Sequence, residues 1–357
     1  MKKEERLLRV GVLGCGPIAQ YAHFDALRKA RNAELYAVCD VAQDLREKMV
    51  AVHEPRRAYA EYEAMLADPE TEAVVIAVAD QFHVPLARRA LEAGKHVLVE
   101  KPLGVTVEES DEIARVAATS GLTFQVGHNR RFDPGVAFAR DFVREELGTL
   151  LCLKAWYYDS TDRYTMTDNL QPIPYQSTNA RRPGGDPKAD RRRYFLLTHG
   201  SHLMDTARFL AGPLRAVQAR WRENAGAHCW FVSVEFESGA FGHLDLIVPI
   251  RGDFEEGFTV QGEGGSVKAT VFLPWFHKAA EVEGFSVKDG LFRRPLGADA
   301  HTYKRQVEGF AATILEGTPL HGASAEDGVA SVRALVAIAR SVESGGWVKL
   351  AGVTGGV

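Results

Sequence analysis

Short unbroken runs of Val, Ile and Leu fill the first third of this chain, separated by stretches whose apolar residues recur every three or four positions. The runs are "LLRVGVLG", "AELYAVCD", "EAVVIAVA", "HVLVE" and "LTFQVG". A strand that is apolar on both faces belongs inside a parallel sheet, and the helical stretches supply its covers. Helices are expected over residues 17–30, around "VPLARRALEAG" and over "TVEESDEIARVAATSG". The last has Thr106 and Glu109 at capping-box spacing and Gly121 where a helix stops. Alternating strands and helices mean an α/β domain.

The pattern changes after about residue 148. From Trp156 to Tyr194 runs a long polar stretch rich in Pro, Arg and Asp. Loops of that length in a compact chain are usually functional or disordered. "THGSHLMDTARFLAG" then reads as a helix. "RAVQARW", "CWFVSVEFE", "AFGHLDLIVP" and "FTVQGEGGSVKATVFL" follow without helices between them, which favours a largely antiparallel sheet. Helices around 303–315 and 325–343 close the chain.

Length and composition add boundaries. At 357 residues two domains are the natural division. A hydrophobic content of 46% and a charged content of 25% are those of a soluble globular protein. The net charge of −4 gives no field that favours nucleic acid or membrane. The N-terminus lacks a secretory apolar segment, and no apolar run reaches the roughly 18 residues that span a bilayer. Cys15, Cys39, Cys152 and Cys229 stand apart with no CxxC spacing. A reduced cytoplasmic protein without a metal site is expected.

Candidate chemistry begins at "GVLGCGPIA", where Gly14, Gly16 and Ala19 form a G-x-G-x-x-A turn between the first strand and first helix. Glycine at 14 permits the tight turn, glycine at 16 lets a pyrophosphate approach, and Ala19 keeps helix and strand close. Pro17 and Ile18 open the helix, whose N-terminal N–H groups suit phosphate. Asp40 ends the second strand 26 residues after Gly14, near the spacing of a carboxylate that binds a ribose 2′-hydroxyl. Val41 and Ala42 follow it without a basic or hydroxyl residue, so NAD is expected in preference to NADP. The fingerprint alone also fits FAD.

With "GVLGCGPIA", "VCD", "EKPLG" and "GHNRRFDP" together, the chain resembles the Gfo/Idh/MocA oxidoreductases, the glucose–fructose oxidoreductase and inositol dehydrogenase family, over nearly its whole length. The resemblance implies an α/β fold with a Rossmann dinucleotide-binding domain at 1–128. A C-terminal α+β domain follows at 129–357, with a large open mixed, mainly antiparallel sheet for substrate binding and oligomerisation. The final helices are expected to pack back on the first domain. A homodimer or homotetramer through that sheet is expected by the same resemblance.

The family's E-K-P motif falls on Glu100, Lys101 and Pro102, with Lys101 catalytic and in reach of both cofactor and substrate. Glu100 is expected at the cofactor, and Pro102 is expected to follow a cis peptide. The segment "AVADQFHVPLARRAL" resembles the family's T-P-N-x-x-H, which places Ala79 and His83 at the cofactor, with Asp80 where asparagine is usual. "GHNR" places Asn129 at cofactor and substrate and Arg130 at the cofactor; Arg130 and Arg131 could equally bridge the domains.

The family's D-x-x-x-H element falls on "LLTHGSHLMD", giving Thr198, His202 and Asp205. Residues i and i+4 share a helix face. His202 is therefore the candidate acid–base group, with Asp205 at the substrate. Thr198 stands where the family has aspartate and cannot charge-stabilise an imidazolium. His199 offers substrate contact or a proton relay. Tyr158 is a further substrate candidate, and Tyr157 and Tyr175 also suit sugar stacking. Arg181, Arg182 and Arg191 to Arg193 either clamp an anion or are solvated. The expected function is NAD-dependent oxidation or reduction of a secondary alcohol in a sugar, cyclitol or sugar derivative. The alternatives are an NAD-dependent glycosidase working through transient oxidation and a catalytically silent ligand sensor.

Overall fold

The computed structural model describes residues 6–160, 174–180 and 189–357. The chain forms two compact units, passing from one to the other between Asn129 and Arg130. Tyr303–Val329 returns to the first unit, and Ala330–Val357 belongs to the second.

The first unit is a six-stranded sheet in the order β3-β2-β1-β4-β5-β6. Its strands are β1 Leu8–Leu13, β2 Ala33–Cys39, β3 Arg57–Tyr59, β4 Ala73–Ile76, β5 His96–Val99 and β6 Phe124–Val126. Every pairing is parallel. Val10, Val12, Val75, Ile76, Val97 and Val99 are buried, as runs without polar alternation require. The capping box on helix Val107–Ser120 is complete, and Gly121 ends that helix in the left-handed region. Neither β3 nor the short helix Tyr62–Ala67 follows a strong apolar pattern, because β3 is an edge strand with exposed residues.

Residues 17–30 depart from a single α-helix. Ala19–His23 is a π-helical turn, and the α-helix begins only at Phe24. A π turn carries an extra residue relative to α geometry. His23 and Phe24 are both buried there.

The second unit holds a nine-stranded sheet in the order β14-β13-β12-β11-β7-β10-β9-β8-β15. The strands are β7 Leu150–Tyr158, β8 Leu214–Asn224, β9 Ala227–Phe236, β10 Phe241–Val248, β11 Glu255–Gly262, β12 Gly265–Val271, β13 Glu281–Ser286, β14 Leu291–Arg293 and β15 Val348–Lys349. Only β7 and β10 pair in parallel. Helices Pro134–Glu146 and Gly200–Ala211 pack on it. Strand alternation sends Leu153, Ala155 and Tyr157 of β7 and Leu244, Leu246 and Val248 of β10 into the core. The opposite face carries Trp156, Tyr158, Phe231 and Phe241, of which the two phenylalanines are exposed.

Arg181 and Arg182 lie outside the described residues. Arg191 to Arg193 are helical, in Arg191–Thr198, whose first turn is capped by the Asp190 carboxylate accepting from the Arg193 N–H at 3.0 Å. Three arginines on its first turn hid the helix from a reading based on apolar period. Two of them stack on aromatic rings, Arg191 5.2 Å from the Phe195 centroid and Arg192 4.4 Å from that of Trp221.

Candidate functional site

At Gly14 φ is +92°, and a Cβ would lie 2.7 Å from the Ala77 carbonyl oxygen. Only glycine fits that turn. At Gly16 a Cβ would meet nothing within 4 Å. Open space above that residue is what a pyrophosphate needs for close approach. Ile18 is half-buried and Pro17 exposed beside it.

Asp40 fastens the glycine turn to the tip of β2. Its Oδ2 accepts from the Cys15 N–H at 2.7 Å and its Oδ1 from the Ala42 N–H at 2.8 Å. Each oxygen retains a lone pair for a ribose hydroxyl. The turn, the open space and this carboxylate fit a dinucleotide. Cys15 and Cys39 are buried next to it, and burial pushes both thiols up, Cys39 to about 12. They are inert packing residues at neutral pH. A 2′-phosphate would meet the Asp40 carboxylate like charge to like charge. NAD is therefore expected to raise the thermal midpoint more than NADP at equal concentration, and the reverse order would remove Asp40 from ribose recognition.

The E-K-P tip follows β5, and the Lys101–Pro102 peptide is cis. Its lysine is half-buried, while the residues on either side are fixed from within. The Glu100 carboxylate meets His23 Nε2 at 2.9 Å through Oε1 and accepts from the Lys101 N–H at 3.2 Å through Oε2. Burial would push this carboxyl up. The hydrogen bond from His23 and the charge of Lys101 outweigh it and hold the group below the ordinary 4.5. The His83 ring lies 2.7 Å from the Pro102 carbonyl oxygen and 3.1 Å from that of Val78. Glu100 and His83, both expected at the cofactor, thus direct their polar atoms inward and hold the turn that presents Lys101. Ala79, half-buried, precedes the short turn at Asp80–Phe82.

Asn129 is buried at the end of the first unit. Arg130, expected at the cofactor, forms a buried ion pair with Glu256, Nη2 to Oε2 at 2.6 Å. Burial pushes the Glu256 carboxyl up, and Arg130 opposes the shift. Arg131 grips Asp205 in the same unit, with Nε 3.0 Å from Oδ2 and Nη2 2.7 Å from Oδ1. This fork leaves Asp205, a substrate candidate by sequence, engaged in a buried ion pair and gives Arg131 a partner inside its own unit.

The histidine element is two helices, not one. Arg191–Thr198 ends at Thr198, and Gly200–Ala211 starts after His199, which caps both. The Thr198 hydroxyl donates to the Tyr194 carbonyl at 2.7 Å and lies 2.9 Å from His199 Nδ1. His199 Nε2 lies 3.1 Å from Oδ2 of Asp159, one residue past β7. A carboxylate missing at 198 is thus present at 159, and it serves His199. The half-buried His202 ring lies parallel to Tyr157, with centroids 5.7 Å apart. Tyr157 also meets His199 edge-on at 5.9 Å.

Tyr158, the substrate candidate by sequence, is on the other face of β7. Its hydroxyl donates to Asp245 at 3.4 Å, and burial with that carboxylate pushes it up to about 12. Strand alternation therefore replaces Tyr158 with Tyr157 beside the histidines. Asp159, Tyr157 and His23 were not singled out as acid–base or positioning groups from sequence. Asp159 had a signal, since an acid directly after an apolar strand is also the pattern of Glu100.

Residues 8–128 match the Gfo/Idh/MocA oxidoreductase family's NAD-binding Rossmann fold, and residues 194–350 match its C-terminal alpha/beta domain. Inositol 2-dehydrogenase 2 of Saccharopolyspora erythraea is 26% identical over 353 residues, 95% of this chain and 94% of the relative. Inositol 2-dehydrogenase of Rubrobacter xylanophilus is 25% identical over 362 residues, 97% of this chain and 94% of the relative. An oxidoreductase from Agrobacterium radiobacter, solved with NAD+, L-tartaric acid and magnesium, shares the fold with a TM-score of 0.77 at 17% identity. That likeness covers 96% of this chain and 98% of the solved one. Matched in both units and in the same order, this protein belongs to the Gfo/Idh/MocA family of oxidoreductases and has its NAD-binding Rossmann domain.

Proposed function

We propose that this chain is an NAD-dependent dehydrogenase acting on a secondary alcohol of a sugar, cyclitol or sugar derivative. The observation that carries the reading is the E-K-P tip, where buried contacts fix both neighbours of a half-buried lysine at a strand's C-terminal end. In open α/β sheets that end is where ligands bind. The inositol dehydrogenase names of two full-length relatives support the substrate class.

Gly14, Gly16, Pro17, Ile18 and Asp40 would hold NAD, whose nicotinamide supplies the hydride acceptor when bound. Lys101 hydrogen-bonds the reacting hydroxyl through its ammonium and orients it. His202 takes the hydroxyl proton at a ring nitrogen as the carbonyl forms. Asp159 and Thr198 hold His199 by its two nitrogens, which makes His199 the supporting histidine and keeps His202 as the first choice of base.

The test is an NAD-coupled absorbance screen over monosaccharides, inositols, glycosides and nucleotide sugars. NADH formation with an inositol or free sugar supports the proposal. Free aglycone without net NADH formation would replace it with the glycosidase, and binding without turnover would replace it with the sensor. The same reading gives the open sheet face, with exposed Phe231 and Phe241, to a second copy. Sedimentation is expected to show a dimer or tetramer that Phe231→Asp/Phe241→Asp converts to monomer; a monomeric parent would refute it.

A further inference from the structure

Residues 174–180 belong to the first unit, although they lie within 129–357, the range expected from sequence for the second domain. Two anchors tie them there. The first is Gln20, in the π turn that follows the glycine turn. Its Oε1 accepts from the Tyr175 N–H at 2.8 Å. Its Nε2 donates to the Tyr175 carbonyl at 3.3 Å and to the Cys15 carbonyl at 2.9 Å. The second is Asp44, in the first turn of helix Gln43–His53 after β2. Its Oδ1 accepts from the Ser177 hydroxyl at 2.7 Å, and its Oδ2 from the Thr178 N–H at 2.9 Å and hydroxyl at 3.3 Å.

These anchors have a particular relation to Asp40. Asp40 binds the Cys15 N–H on one side and the Ala42 N–H on the other. Gln20 holds the carbonyl of that same Cys15, and Asp44 lies two residues beyond Ala42. The segment is therefore fastened to both of the turns that Asp40 joins. In a dinucleotide fold the first of those turns carries the pyrophosphate and the second the adenosine ribose. Nothing in general Rossmann geometry requires a strand of chain across them.

We propose that residues 174–180 are a strap across the adenosine half of the dinucleotide site, pinned by Gln20 and Asp44, that slows release of the bound dinucleotide. Release requires breaking the pins or threading past them. The Ser177 hydroxyl, ahead of the Thr178 and Leu45 N–H groups, holds the Asp44 carboxyl below its ordinary range, so that pin is an ionised acceptor at neutral pH. Hydrogen bonds to a charged group are the stronger kind. Tyr175, held through its backbone at the Gln20 pin, is 39% exposed and stays partly open to solvent.

The inference rests on the dinucleotide reading of the glycine turn and is tested on binding, not turnover. The parent chain, Asp44→Ala and Ser177→Ala/Thr178→Val are titrated with ADP-ribose by calorimetry, and NADH release is followed by stopped-flow fluorescence. NADH release is expected to speed up about tenfold in both variants, with ADP-ribose affinity falling up to tenfold and the ligand-free thermal midpoint unchanged. The double variant leaves the first turn of helix Gln43–His53 intact, so it reads the strap even if Asp44→Ala does not fold. Unchanged release in the double variant would overturn the strap. Tighter ADP-ribose binding would also overturn it, by showing that the segment blocks the site. A parent chain that binds no ADP-ribose at all would overturn the strap and the dinucleotide reading together.

Discussion

Lys101→Ala is expected to lower kcat/KM by about a thousandfold, the upper end of the loss seen when one positioned hydrogen-bond donor to a reacting oxygen is removed. That corresponds to about 4 kcal/mol of lost transition-state stabilisation. The thermal midpoint and the affinity for ADP-ribose are expected to stay near those of the parent. The reason lies in how the tip is built. Glu100 is fixed by His23 and the Lys101 N–H, and Pro102 by His83, so these contacts use the backbone at 101 and side chains elsewhere. Removing the lysine side chain takes away an ammonium and leaves those contacts in place. The measurement is steady-state kinetics on the substrate found in the screen, with calorimetric ADP-ribose binding on the same preparations. A variant with the parent's rate would remove Lys101 from the chemistry, and one that loses ADP-ribose binding as well would make it structural.

How far the sequence showed this site depends on the kind of physics at each residue. The glycine turn was legible because φ of +92° and a backbone carbonyl 2.7 Å from a would-be Cβ leave one residue type at position 14. The parallel sheet was legible because burial on both faces forbids polar alternation. Contacts between distant positions were not legible. Asp205 and Arg131 are 74 residues apart, and their fork becomes visible only when both side chains are placed. The carboxylate sought at 198 stands at 159, where no local spacing could connect it with His199. Tyr157 and Tyr158 are adjacent and chemically alike, so the choice between them required knowing which face of β7 is core. The π turn was missed because one extra residue barely alters an apolar pattern, yet it accompanies the burial of His23.

His23→Ala is expected to destabilise the first unit by about 3 kcal/mol, because it takes a hydrogen-bonding partner from a carboxylate that stays buried. His23 is 1% exposed and Glu100 5%, and they lie 77 residues apart in sequence. A double-mutant cycle separates this coupling from the cost of the lost ring and its edge contact with Tyr303 at 5.7 Å. If the carboxylate is the reason, His23→Ala costs much less in a Glu100→Gln background. Equal costs in both backgrounds would mean that the ring matters only for packing. The pH dependence gives a second check with a fixed sign. Glu100 is held below its ordinary 4.5, so the unfolded chain binds more protons than the folded one between the depressed value and 4.5. Its contribution is full above about pH 4.5 and is lost as pH falls through the folded value. The parent should therefore lose stability on that acid flank more steeply than Glu100→Gln, measured by urea unfolding at a series of pH values. Parallel acid flanks would show that His23 does not hold Glu100 ionised, and the support for the turn carrying Lys101 would then have to come from His83.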